Sequence, residues 1–65
     1  MWEYQKQIIE IKDPSDYEIV SEMDKFGQEG WEIFSITEKV VEEWKTYGEP
    51  HKTVEYTMYM KKLAE

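Results

Sequence analysis

The sequence of 65 residues contains no cysteine, no arginine and no asparagine, and it has only three glycines and two prolines. Without cysteine the chain forms no disulfide and offers no thiolate ligand to zinc, so both usual supports of very small domains are excluded. No apolar run approaches the ~20 residues of a membrane-spanning helix, and no basic, apolar leader opens the chain. We therefore expect a cytoplasmic protein that does not bind membranes.

Positive charge is also scarce, because the chain has eight lysines and 15 acidic residues, which gives a net charge of −7. Binding to free nucleic acid relies on clustered lysine and arginine, so this balance predicts no direct nucleic-acid partner. The hydrophobic content of 40% and the aromatic content of 15% are too high for a disordered acidic tail. We expect one folded domain that spans residues 1–65.

One segment has the apolar spacing of an amphipathic helix, over residues 14–26. Its apolar residues recur at positions i, i+4 and i+7, namely Ile19, Met23 and Phe26. Asp13 before Pro14 predicts the N-cap, and Gly27 predicts a left-handed C-cap.

Three other segments predict strands, over residues 2–12, 31–41 and 53–61, with a long hairpin loop at 42–52. The order strand-helix-strand-strand indicates an α+β fold, in which one helix covers one face of a mainly antiparallel, three-stranded sheet. We favour the sheet order 2-3-1, because Thr57 and Tyr59 make the second face of the third strand suitable for burial. Order 1-2-3, with the first two strands parallel, is the alternative.

Residues 23–33 read Met-Asp-Lys-Phe-Gly-Gln-Glu-Gly-Trp-Glu-Ile, followed by Phe-Ser-Ile. This segment resembles a bacterial and phage family of unknown function with the pattern L-N-x-L-G-x-x-G-W-E-L-V-S-V. Members close with a strand ending in Lys-Arg, where this chain has Lys61-Lys62. The resemblance implies a strand-helix-strand-strand fold, no assigned activity and no catalytic residue. Asp24 departs from the usual asparagine, and segment 42–52 is longer and more aromatic than is typical.

The chemistry-bearing residues do not form a recognisable catalytic or metal motif. His51 is the single histidine, and none of the three serines (Ser15, Ser21 and Ser35) follows the strand-to-helix elbow of hydrolases. His51 lies near Glu42, Glu43 and Glu49, but without the fixed spacing of a built metal site. We therefore predict no enzyme, no metal and no cofactor.

Trp44, Tyr47 and His51 lie in the polar segment 42–52, where turn geometry does not need large aromatic residues. Tryptophan and tyrosine are enriched at the centres of protein interfaces, so these three residues are the candidates for binding a partner. A loop that folds back over one end of the sheet is the competing interpretation.

One helix covers only one face of a three-stranded sheet, and the other face is not polar in the way that water-facing sheets are. The second strand is apolar on both alternations, and Tyr59 interrupts the polar side of the third. This pattern predicts a homo-oligomer, most simply a symmetric dimer, whose self-association face contains Phe34, Ile36 and Tyr59.

These observations together favour a non-enzymatic binding or assembly module that acts through protein or small-ligand contacts. An alternative is an acidic phage-type inhibitor, which would present carboxylates to a host defence or nucleic-acid-binding protein. A further alternative is a sponge for a nucleotide-like ligand held between subunits. That hypothesis suits the aromatic residues but not the lack of arginine.

Overall fold

The computed structural model describes residues 1–64, and the elements follow the predicted order. They are β1 (Trp2–Lys12), α1 (Asp16–Gln28), β2 (Glu32–Thr46) and β3 (Glu49–Leu63). The three strands form one antiparallel sheet in the order β1-β3-β2, which confirms the α+β class and the predicted order 2-3-1. Glu65, the last residue of the predicted domain, lies outside the described residues.

The core lies on one face of the central strand β3. Its alternating apolar residues are only 0–2% exposed, namely Val54, Tyr56, Met58 and Met60. Helix α1 covers this face with a half-buried stripe formed by Ile19, Met23 and Phe26. Burial, together with the carboxylates of Glu38 and of Asp16 and Glu18 in the first helical turn, raises the pKa of the Tyr56 phenol. The helix therefore begins near Tyr56.

The helix begins two residues later than Asp13 and Pro14 suggested, because Ser15 is its N-cap. The Ser15 hydroxyl accepts a hydrogen bond from the Glu18 amide at 3.2 Å, and it lies 3.3 Å from the Glu18 carboxylate. Asp13 is not free to cap, because its carboxylate and amide bind β3 instead. The prediction of an Asp13 cap was therefore wrong.

The helix also ends later than predicted, because the left-handed residue is Gly30 (φ +93°) and not Gly27. The Trp31 amide donates to the Phe26 carbonyl at 3.0 Å, and the Gly30 amide donates to the Gly27 carbonyl at 3.0 Å. This pair of bonds is the Schellman motif, which needs a left-handed residue at the second position after the helix. Gly30 fills that position, and Gly27 stays helical.

The predicted long loop at 42–52 is wrong, because both strands continue through it. Trp44 pairs with His51, and Thr46 pairs with Glu49. The connection is a two-residue turn at Tyr47 and Gly48, with φ of +51° and +82°. Positive φ at both residues is typical of the type I′ turn that joins two-residue β-hairpins. The pairing escaped sequence analysis because water reaches both faces here, so no apolar alternation is present.

The paired segment 43–52, called here the hairpin arm, extends beyond Lys12, the last residue of β1. The molecule consequently measures 53 × 18 × 11 Å, and its Cα radius of gyration is 14.4 Å. A compact domain of this length has a radius of gyration of about 11 Å. Within residues 1–64, no helix has the length and apolar character needed to cross a membrane.

Candidate interaction surfaces

The sheet face opposite α1 has no covering element among the described residues, and we call it the open face. Its aromatic residues gather at the end where β1 begins. Trp2, Tyr4, Phe34 and Tyr59 are 46%, 66%, 54% and 40% exposed. We call these four residues the aromatic patch.

Contacts within the aromatic patch hold its rings in fixed relative positions. Tyr4 and Phe34 meet edge to face, with ring centroids 6.2 Å apart and an interplanar angle of 86°. The Lys61 ammonium lies 4.5 Å from the Trp2 ring centroid, which is within cation–π range. A second ammonium, that of Lys6, lies 5.9 Å from the centroid of the Tyr59 ring. The patch is therefore an ordered apolar surface bordered by two lysines.

Two of the three predicted self-association residues, Phe34 and Tyr59, lie on the open face, but Ile36 does not. Ile36 pairs with the buried Met58 and so lies on the helix-covered face. The reason is a register shift between Ile33 and Ser35, which inserts one extra residue into β2. A β-bulge reverses the alternation of the residues that follow it. Phe34 and Ile36 would share a face in a regular strand, and the bulge separates them.

The hairpin arm contains a second cluster, formed by Trp44, His51 and Asp13. The Trp44 and His51 rings stack with centroids 5.5 Å apart and an interplanar angle of 17°. His51 Nδ1 lies 2.7 Å from Asp13 Oδ2, and the Lys52 amide donates to Asp13 Oδ1 at 3.1 Å. These hydrogen bonds lower the pKa of the Asp13 carboxyl, and the bond from His51 has the largest effect. An ionised Asp13 thus fixes the base of the arm to the end of β1.

The three predicted partner-binding residues do not form one site. Trp44 and His51 are cross-strand neighbours and half-buried, whereas Tyr47 stands fully exposed at the tip of the hairpin arm. Trp44 therefore stabilises the arm through its ring contact with His51. The competing interpretation, in which a loop covers the end of the sheet, is wrong because the segment is a paired arm.

A shallow concavity of about 520 Å³ lies beside the hairpin arm. Asp13, Trp44, Lys45, Pro50 and His51 line it, together with the charged neighbours Glu43 and Lys52. Over residues 1–64, no three histidine or acidic side chains converge as metal ligands would. Within the same residues, no hydroxyl group hydrogen-bonds to His51, whose Nδ1 faces Asp13. The arrangement contains an imidazole and a carboxylate but no nucleophile joined to them.

Sequence analysis missed half of the aromatic patch, because Trp2 and Tyr4 were recognised only as strand residues. Because Trp2 and Tyr4 are two residues apart in one strand, both lie on the same face of β1. The cross-strand register decides which face this is, since Tyr4 pairs with Lys61 and Lys6 pairs with Tyr59. Without that register, the residues of β1 could not be assigned to the open face.

Carboxylates lie both on the helix and on the open face. Four exposed acidic residues lie on or just beyond the helix, namely Asp16, Glu18, Asp24 and Glu29. One of the few opposing charges is Lys25, whose ammonium lies 2.8 Å from the Glu22 carboxylate. On the open face, Glu10 pairs with Glu55 beyond the aromatic patch.

Comparison of the chain with protein-family models, with curated proteins and with solved structures finds no match. The resemblance of residues 23–33 to the family of unknown function therefore stays a prediction.

Proposed function

We propose that this chain is a non-enzymatic interaction module, and that the open face of its sheet binds another protein subunit. The observation that carries the proposal is the aromatic patch, in which Trp2, Tyr4, Phe34 and Tyr59 remain 40–66% exposed. Contiguous apolar surface of this kind is uncommon on monomeric proteins and is typical of interaction sites. Aromatic rings also provide a large contact area with little loss of side-chain entropy on binding.

The contacts of the patch favour binding over a purely structural role. Phe34 lies at a bulge in an edge strand, and its ring contact is with Tyr4, which is itself two-thirds exposed. Such a pair stabilises the isolated domain by only about 1 kcal/mol. Burial under a partner would stabilise each half-exposed ring by roughly half of the ~1.5–3 kcal/mol that full burial of an apolar side chain supplies.

Two features of the geometry support a binding role over catalysis. His51 is engaged by Asp13 and stacked against Trp44, so its position is explained by the anchoring of the hairpin arm. The Ser15 hydroxyl is used in capping the helix. A nucleophile needs a base within hydrogen-bond reach, and neither residue supplies that arrangement.

The test is the substitution Phe34→Ser, with Met58→Ser as the control in the buried core. At dilutions where the chain is monomeric, we expect Phe34→Ser to keep the far-ultraviolet circular dichroism spectrum and to bind less of an apolar dye such as anilinonaphthalene sulfonate than the wild type does. Met58→Ser should unfold the chain, because it places a hydroxyl among fully buried side chains. Loss of the native spectrum in Phe34→Ser would show that the patch supports the fold, and the proposal would be wrong.

A second candidate function is an acidic inhibitor of a basic protein, and the exposed carboxylates of α1 favour it. Such a contact would weaken steeply with salt, whereas a contact made by aromatic rings changes little. The dependence of binding on ionic strength therefore separates the two functions for any partner that is found.

A further inference from the structure

We propose that the partner on the open face is a second copy of this chain, related by a two-fold axis. The two sheets would pack face to face, with the helices outermost, and form four layers in the order helix-sheet-sheet-helix. This inference rests on the proposed function, because it uses the same aromatic patch. Beyond the proposed function, it specifies what the partner is and how the two subunits are related by symmetry.

The surface area of the single chain supports this inference. The monomer exposes 5113 Å², whereas a compact monomeric protein of 7.9 kDa exposes about 4,400 Å². The excess is roughly 700 Å². This area is close to the ~800 Å² that each partner buries in an interface of standard size. The hairpin arm, which extends beyond β1, contributes to this excess together with the uncovered open face.

The distribution of charge permits two copies to meet on this face despite the net charge of −7. Lys6 and Lys61 border the aromatic patch, and Glu32 pairs with Lys61 at its edge. The open-face carboxylates of Glu10 and Glu55 lie farther along the strands, four residues from Lys6 and from Tyr59. The carboxylates of α1 lie on the other side of the sheet. A face-to-face dimer keeps those carboxylates apart, and a contact between helices would bring them together. Repulsion between like charges consequently favours the open face.

The position of Tyr59 makes the patch suitable for a two-fold contact. Tyr59 lies on the central strand, between Lys6 of β1 and Ser35 of β2. In a symmetric contact the same residues are used on both copies, so the side chain nearest the axis meets its own counterpart. Packed sheets lie about 10 Å apart, which two layers of aromatic side chains fill.

Association through the β2 edge or through the hairpin arm is less favourable than association through the open face. The outer strand β2 has register shifts at Ile33/Ser35 and at Val40/Glu42, and bulges interrupt the row of hydrogen-bonding groups that an added strand needs. In the hairpin arm, β3 extends beyond β1 and contains Pro50, which has no amide proton to donate. The other edge strand, β1, pairs regularly with β3 and has no such protection. A dimer formed through the β1 edge would survive substitutions on the open face, so the variants below distinguish the two contacts.

The experiment compares native mass spectrometry and light scattering of the wild-type chain with those of Tyr59→Glu, over a dilution series. Tyr17→Glu is the matched control, because Tyr17 is 83% exposed on α1 and receives the same change of charge. We expect the wild type and Tyr17→Glu to have twice the mass of one chain. Tyr59→Glu should be monomeric, because it places two carboxylates beside the two-fold axis.

Phe34→Glu is the second variant, in case Tyr59→Glu does not fold, and circular dichroism verifies that each variant is native. A folded Phe34→Glu monomer supports the inference. A wild-type chain that stays monomeric at the highest concentration overturns it, as does a dimer that survives both substitutions. If the wild type is monomeric but Phe34→Ser keeps its fold, the proposed function still stands and only the second copy is wrong. If Phe34→Ser unfolds, the proposed function itself is wrong.

Discussion

Tyr47 has a backbone conformation that tyrosine disfavours. It occupies the first central position of the type I′ turn with φ of +51°, and its side chain is fully exposed. Asparagine and glycine are preferred there, because an L-residue with a Cβ crowds the following carbonyl in the left-handed region. No contact of the tyrosine ring in the described structure offsets this cost. A residue that occupies a backbone conformation its type disfavours, without a compensating contact, is a candidate functional residue.

The substitution Tyr47→Asn should therefore stabilise the isolated chain by about 1 kcal/mol, as measured by urea denaturation. Gly48→Ala is the control with the opposite expected effect, because Gly48 has φ of +82° and the backbone of an alanine would be strained there. Its free energy of unfolding should fall by about 1–2 kcal/mol. Destabilisation by Tyr47→Asn would show that the tyrosine ring supports the hairpin arm.

Asp13 anchors the hairpin arm through its charge. Its pKa is lowered by the hydrogen bond from His51 and by that from the Lys52 amide. A carboxyl whose pKa is lower in the folded state stabilises the fold above its unfolded pKa, and this stability is lost as the pH falls through the folded pKa.

We expect Asp13→Asn to lower the urea midpoint at neutral pH and to change it little once the pH has fallen below the lowered pKa of Asp13. Its urea midpoint should therefore depend less on pH than that of the wild type. Asp24→Asn is the control, because it removes the same charge from the exposed side of the helix. Identical pH profiles for the two variants would contradict the role of Asp13.

At the scale of the elements, tertiary contacts decide where the helix begins and ends. Asp13 and Gly27 are the predicted capping residues, but Ser15 caps the helix and Gly30 is the left-handed residue after it. Asp13 binds β3 instead, and the chain enters β2 at Glu32, two residues after Gly30. The local signals therefore indicate that a helix is present, but they place its first and last residues only to within two or three positions.

Ser15→Ala should destabilise the chain by about 1 kcal/mol, because it removes the oxygen that accepts from the Glu18 amide. Ser21→Ala is the matched control. Ser21 is exposed in the middle of the helix, where alanine is the better helix former, so this change should be neutral or slightly stabilising. Thermal unfolding followed by circular dichroism distinguishes the two. Equal effects would argue against Ser15 as the cap.

For the whole molecule, stability depends on one strand. The buried apolar side chains of residues 1–64 are Val54, Tyr56, Met58 and Met60, all on β3. The helix contributes only half-buried residues, so the core is a single row between one sheet face and one helix. A core of this size stabilises an isolated chain weakly, which is consistent with the proposed contact on the open face.

Met58→Ala should lower the free energy of unfolding by about 2–5 kcal/mol, because Met58 is 1% exposed and its loss leaves a cavity. Met23→Ala on the helix stripe is the control. Its effect should be smaller, since Met23 is half-buried and water can fill the space that is left. Chemical denaturation measures both. A larger loss for Met23→Ala would place the core at the helix and not at β3.

The sequence by itself determined the order of the elements and the α+β class, because both depend on local periodicity. It favoured the central position of β3 and left the order 1-2-3 as an alternative, and the pairing of β3 with both other strands decided between them. The alternation of Val54, Tyr56, Met58 and Met60 is visible without any knowledge of neighbours. Of the proposed interaction surface, Phe34 and Tyr59 were identified for the same reason.

Only the tertiary structure decided which residues share a face and where the strands end. The bulge after Ile33 moves Ile36 to the helix-covered face, and nothing in the alternation of side chains reveals a bulge. The hairpin arm has water on both faces, so its strands have no apolar period to detect. Such features depend on hydrogen bonds between strands that are distant in sequence, and these bonds form only when the sheet is assembled.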